Sequence, residues 1–134
     1  MREDAQVLSV EWHDARITQL CIEPDARVVL HFRWLEVYDE PARRRGEEQA
    51  SAWKAMLVLD GVTALEGLER GLSEGWVIEG RLIDPTDKEM DAARAMGGVG
   101  ARALEFVLNN GDRVRLSCRS AELTLLSLVK VLKG

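Results

Sequence analysis

Trp12, His13 and Asp14 stand together as the most conspicuous polar cluster of the chain. An adjacent histidine and aspartate could hold a metal ion that activates water for hydrolysis. Such a site needs further imidazole and carboxylate ligands at fixed distances, and His31, in a strand-like run, is the only other histidine. The expectation for the cluster is therefore structural: a turn in which Asp14 bonds backbone amides and His13 packs beside Trp12. A nucleophilic site fares no better. Ser117 and Cys118 could in principle be activated by His13 or His31, but neither sits in a Gly-x-Ser-x-Gly elbow, and Cys118 falls on the apolar side of its run. Carboxylates are plentiful, yet none is flanked by the apolar residues that would raise one pKa and spare another. Gly97, Gly98 and Gly100 lack the lysine and the serine or threonine of a phosphate-binding loop. No catalytic residue, metal ligand or cofactor-binding residue is assigned, and no cofactor is expected.

Residue types suited to recognition are better represented. Of the 18 basic residues most are arginine, whose planar fork suits carboxylates at an interface. Arg102, Arg113, Arg115 and Arg119 are expected on the polar side of the last hairpin, and Arg16, Arg33 and Arg81 alternate in a similar way on other strands. Four tryptophans are present. Trp34 and Trp53 are assigned to the core, whereas Trp12 and Trp76 lie near strand starts, where partial exposure would make them interface anchors. The candidate partner-binding residues are thus Arg102, Arg113, Arg115, Trp12 and Trp76. The partner expected is another protein, acidic where it meets these arginines. The last hairpin would also lie at a sheet edge, so homodimerisation and binding of a different protein both stay open.

Charge and composition narrow the classes further. The 134 residues carry 23 acidic against 18 basic side chains, a net charge of −5, which disfavours general binding to nucleic acid. The run Arg43-Arg44-Arg45 is bordered by Asp39, Glu40, Glu47 and Glu48 and is expected to be a solvated mixed-charge loop. Cys21 and Cys118 are far apart, sit among apolar neighbours and show no Cys-x-x-Cys spacing, so two buried reduced thiols are expected. A charged N-terminus without an apolar leader core, and the absence of a long apolar run, point to a cytoplasmic protein that does not enter membranes. With 46% hydrophobic and 31% charged residues, the chain has a globular balance and the length of one domain.

The elements that must position these residues are mainly extended. Ala15 to Ile22, the turn Glu23-Pro24-Asp25-Ala26, and a run with Val28, Leu30, Phe32 and Trp34 on one face predict a hairpin. Trp53, Ala55, Leu57 and Leu59 predict a third strand ending at Asp60-Gly61. Gly75 to Ile83 predicts a fourth, with Trp76, Ile78, Gly80 and Leu82 assigned to one face. Leu104, Phe106 and Leu108 lead through Asn109-Asn110-Gly111-Asp112 to Val114, Leu116 and Cys118, the strongest hairpin signal. Short helices are expected near 62–72 and 86–96, the latter opened by a capping box at Thr86 and Glu89. Exposed excursions are expected near 40–51 and 84–100. The tail fits either a helix or a strand, with a strand preferred. The fold expected is a single mainly β domain over 1–134, an antiparallel sandwich or partly open barrel of about six or seven strands.

His13-Asp14-Ala15-Arg16-Ile17, the strand pair, Leu59-Asp60-Gly61-Val62, Gly75-Trp76 and the closing Asn-Gly hairpin together resemble a loose group of small uncharacterised bacterial β-rich domains. Some of these are similar to immunity proteins encoded beside secreted toxins. The resemblance implies a binding protein without a cofactor. The expected function is a non-catalytic protein-binding module, immunity-like or an accessory subunit. The alternative is a β-barrel that binds a small ligand, or acts as an enzyme, through a polar pocket.

Overall fold

The computed structural model describes residues 8–39, 49–67, 75–86, 88 and 99–133, and every regular element among them is a strand. Seven strands follow one another: β1 (Leu8–Glu23), β2 (Arg27–Asp39), β3 (Gln49–Asp60), β4 (Ala64–Glu66), β5 (Gly75–Ile83), β6 (Val99–Leu108) and β7 (Arg113–Lys133). All pairings are antiparallel. β1-β2-β3 and β5-β6-β7 each form a meander. β1 pairs with β5 and β3 with β7, so the two meanders close into a six-stranded barrel, and β4 adds to β7 outside the ring. The architecture is therefore a closed barrel rather than a sandwich.

Local chemistry explains the joints. At Pro24-Asp25-Ala26 the last two residues adopt positive φ, 66° and 58°, which aligns Glu23 with Arg27. Arg27 Nε donates to Asp60 Oδ1 at 2.8 Å, and the Val62 amide bonds the Ala26 carbonyl at 2.8 Å, tying that turn to the end of β3. In the β6–β7 hairpin, Leu108 and Gly111 amides bond the Asp112 and Leu108 carbonyls, each at 2.9 Å. The Asp112 amide bonds Asn110 Oδ1 at 2.9 Å, the Asx chemistry that the Asn-Asn-Gly-Asp run provides.

Apolar side chains fill the barrel: Leu30, Leu57, Leu59, Leu82, Leu104 and Leu116 are among the fully buried ones, with Trp12 tilted against Phe32 at 6.2 Å between ring centroids. Strict alternation does not deliver this filling, because several strands carry β-bulges. β1 and β2 lose register between Glu11 and Arg16, β2 and β3 between Phe32 and Leu35, and β5 and β6 between Val77 and Glu79. Each bulge bends its strand and resets which residues face inward. Thus Leu35, not Trp34, continues the buried row of β2, and Val77 and Leu82 point inward while Trp76 and Ile78 are exposed.

These bulges account for most departures from the expected elements. Trp34 and Trp53 are half-buried rather than core residues; their indoles donate to Glu36 Oε2 at 3.2 Å and Ser51 Oγ at 2.8 Å. The helix expected over 62–72 is not formed in its described part. Ala64–Glu66 is instead a strand on β7, because Gly67 turns the chain there at φ 86°. The remainder of that segment, most of 86–96 and the arginine run 43–45 lie outside the described residues. Of the expected capping box, Glu89 lies outside the described residues; ahead of it, Asp84 Oδ1 accepts from the Thr86 amide and hydroxyl at 2.8 and 2.6 Å and from the Lys88 amide at 3.1 Å. The expected excursions are shorter than 40–51 and 84–100 where described, since β3 begins at Gln49 and β6 at Val99. The tail is a strand, paired with β3 to Lys133.

Two glycines separate the cost of backbone strain from that of crowding. Gly67 and Gly111 both have positive φ, but a Cβ on Gly67 would lie 1.9 Å from the Arg113 carbonyl oxygen, while one on Gly111 would meet nothing within 4 Å. Gly111→Ala is expected to cost about 1 kcal/mol. Gly67→Ala must also displace β7, and its loss should exceed that of Gly111→Ala by at least about 1 kcal/mol in chemical denaturation. Equal losses would mean that β4 does not hold this contact in solution.

Candidate protein-binding surface

The five candidate residues separate into three environments. Trp12 is 7% exposed and belongs to the barrel interior, where its Cβ lies against Gly80 so closely that a Cβ there would come within 2.9 Å. It is a core residue and not an interface anchor, because β1 begins at Leu8 and Trp12 falls well inside it. Arg102 is likewise buried, at 6% exposure. It shares the parity of Leu104 and Phe106 and therefore points inward rather than from the polar face. Its Nε donates to the Gly100 carbonyl at 3.0 Å, and it lies opposite Cys118 in the β6–β7 register.

Arg113 and Arg115 do project outward, along a groove of about 590 Å³ lined also by Glu66, Glu79, Arg81 and Glu105. Three arginines meet three glutamates there, so the face is mixed and not a positive patch. Glu105 sits at its centre: Arg81 Nε donates to Oε1 at 2.9 Å, and Arg115 donates to Oε2 at 2.5 Å. Burial pushes the Glu105 pKa up, but the hydrogen bonds from Arg81 and Arg115 outweigh it and hold the carboxyl below its ordinary value of 4.5.

Trp76 is 44% exposed on β5, as expected. It stands beside an arginine that the sequence did not single out as a binding residue. The Arg16 guanidinium carbon lies 4.4 Å from the Trp76 ring centroid and 6.0 Å from that of Trp34, so two tryptophans from different strands hold one cation between them. Cross-strand pairing imposes this arrangement: Arg16 is opposite Trp34 on β2 and Trp76 on β5. Arg16 and Trp76, with Arg33, Gly75, Ile17 and Asn109, line a groove of about 330 Å³. Ile78, also exposed, extends the apolar surface along β5. Counting back from the Pro24-Asp25-Ala26 turn would have set Arg16 against Trp34; no local pattern brings β5 to β1.

The His13-Asp14 pair lies along the same seam, in the bulge of β1 and not in a turn. Asp14 takes φ 70°, so both side chains face out while Trp12 and Ala15 face in. His13 Nδ1 donates to the Ile78 carbonyl oxygen, bridging β1 to β5 beside their short backbone ladder. Nε2 lies 3.6 Å from Asp14 Oδ2. The His13 pKa is raised, first by the Ile78 carbonyl and then by Asp14, with smaller contributions from Glu11 and Glu36 against a small desolvation effect. Among the described residues no group of three or more histidine, cysteine, aspartate or glutamate side chains could hold a metal ion. Cys118 is buried and Cys21 half-buried, both as free thiols, and burial pushes the Cys118 pKa up. No helix among the described residues is long and apolar enough to cross a membrane.

Two titrations check these electrostatics. Because His13 has a raised pKa, its contribution to stability is complete below pH 6.5 and is lost as pH rises through the higher folded value. NMR titration of the imidazole should give a midpoint above 6.5, and Asp14→Asn should bring it down towards 6.5; a native midpoint at or below 6.5 would contradict the bridge. Glu105 has the opposite sign. Its contribution is present above pH 4.5 and is lost as pH falls through the lower folded value. Glu105→Gln should therefore cost at most about 1 kcal/mol at neutral pH and flatten the acid limb of the stability curve, whereas an unchanged acid limb would remove Glu105 from the account.

Comparison of the chain with protein-family models, with curated proteins and with solved structures finds no match to any of them.

Proposed function

We propose that this protein is a non-catalytic protein-binding module, immunity-like or an accessory subunit, and that it meets its partner on the β1–β2–β5 face. The observation that carries this reading is Trp76, a large aromatic side chain exposed on a strand and stacked against Arg16 at 4.4 Å. Tryptophan and arginine supply most of the strongest single contributions at protein interfaces, and Trp76 costs little entropy to immobilise because Arg16 already restrains it. Ile78 and Arg33 flank the pair, giving an apolar centre with a cationic rim, the usual anatomy of a recognition patch. Large apolar side chains occupy the barrel interior, which favours recognition on the outer surface over an enclosed polar pocket. The Arg113–Arg115 face is a weaker candidate, since Arg115 and Arg81 are already engaged by Glu105.

Replacement of the anchor tests the reading. Trp76→Ala combined with Ile78→Ser removes exposed apolar surface together with the stacking on Arg16 that supports the β1–β5 pairing, a contribution of about 0.5–1 kcal/mol at an exposed site, so the melting temperature should fall by no more than several degrees. Recovery of the specific partner from native lysate should fall at least about tenfold, the consequence of losing a central anchor. The double variant Arg113→Glu and Arg115→Glu should retain partner recovery. The opposite pattern, with recovery lost in the arginine variant and kept in the Trp76 variant, would place the interface on the last hairpin instead.

A further inference from the structure

The groove beside Trp76 has a more specific chemistry, and we infer that it captures the side-chain carboxylate of an aspartate or glutamate in an acidic segment of the partner protein. The inference rests on the protein-binding reading above and names what that surface recognises.

Arg16 is prepared for such a group. Its Nε is sealed from solvent and has no hydrogen-bond partner, and Trp76 and Trp34 hold the guanidinium. The groove can therefore be offered only the two terminal nitrogens, the end of the fork that a carboxylate accepts in bidentate fashion. Arg33 lines the same groove. Among the described residues neither Arg16 nor Arg33 has a carboxylate within ion-pair distance, whereas Arg27 pairs with Asp60, and Arg81 and Arg115 pair with Glu105. In a chain where acidic residues outnumber basic ones by 23 to 18, two adjacent arginines without an acidic partner are a local reversal of sign. Such a reversal attracts an anionic group from outside.

The size of the groove and its aromatic wall favour a side chain over a large ligand. About 330 Å³ is at the small end of the range for ligand sites, enough for a carboxylate and its methylenes. The Trp76 ring offers the adjoining partner residue an apolar surface. The Asn109 amide is already used, donating to the Trp76 carbonyl at 2.8 Å, which fixes the hairpin end against this wall while the Asn109 side chain remains exposed beside it.

A short oligoglutamate peptide is the probe, with oligolysine of equal length and inorganic phosphate as the other arms, at low ionic strength. Binding is followed by NMR through the indole N–H of Trp76, identified by its disappearance in Trp76→Phe. The expected result is a saturable shift with oligoglutamate, none with oligolysine, and weaker binding by phosphate. Arg33→Gln, an exposed substitution, should weaken the peptide by about tenfold or more, the loss of one charge-assisted hydrogen bond. Arg16→Gln should abolish the shift, its folding checked by the thermal transition. Absence of a saturable shift, phosphate binding as tight as the peptide, or unchanged affinity in Arg33→Gln would each overturn the inference. If oligoglutamate fails while partner recovery still depends on Trp76, the carboxylate assignment falls and the protein-binding reading stands.

Discussion

β7 closes the barrel by changing partners along its length, and the remaining geometry depends on that exchange. Its first part pairs with β6 on one side and with β4 at Arg115–Ser117 on the other; its second part pairs with β3 from Asp60–Ser120 to Gln49–Lys133. A barrel removes the unpaired edges of a sheet only if every seam is closed. Here the β3–β7 seam is long, while β1 and β5 pair through Arg16–Trp76 and Ile17–Gly75. The two closures are unequal, and the shorter one is supplemented by side chains: the His13 imidazole bonds the Ile78 carbonyl, and Arg16 stacks on Trp76.

This inequality places the candidate surface. Where β1 bulges between Glu11 and Arg16, the strand turns His13 and Asp14 outward together, and β5 answers with its own bulge after Val77, leaving Trp76 and Ile78 exposed. Bulges commonly re-aim side chains at sites of function. The features that weaken the backbone ladder are thus the ones that assemble an aromatic and cationic face on the outside, without opening the apolar interior.

Much of the fold was legible in the sequence because several strands are delimited by unambiguous turn chemistry. Pro24-Asp25, Asp60-Gly61 and Asn110-Gly111 end or join strands where expected, and Ala55, Leu57 and Leu59 alternate inward as their period of two requires. Closure into a barrel was less legible, since β1–β5 and β3–β7 join segments distant in sequence. The bulges were hidden for a related reason: each inserts a residue without any special composition, so a face assigned by counting is correct only up to the bulge. Trp34 and Trp76 illustrate the two outcomes. Counting placed Trp34 in the buried row of β2, and the shift after Phe32 turned it out; Trp76 stands near a strand start, a position that leaves partial exposure open, and it is exposed.

The candidate site was legible only in part, and the reasons differ by residue. Arg102 follows the simple parity of Leu104, so its burial was available from the pattern. Trp12 could not be placed without knowing that β1 starts at Leu8. Arg16 gains its role from two contacts, of which the one to Trp34 follows from the β1–β2 hairpin register and the one to Trp76 has no local signal. The barrel thus has one long, robust closure and one short closure supported by side chains, a difference that native-state amide hydrogen exchange reads out seam by seam. The hydrogen-bonded amides of the β3–β7 ladder should exchange only through global unfolding, and those of the β1–β5 pairing through a smaller local opening. Equal protection at both seams, or faster exchange along β3–β7, would contradict it.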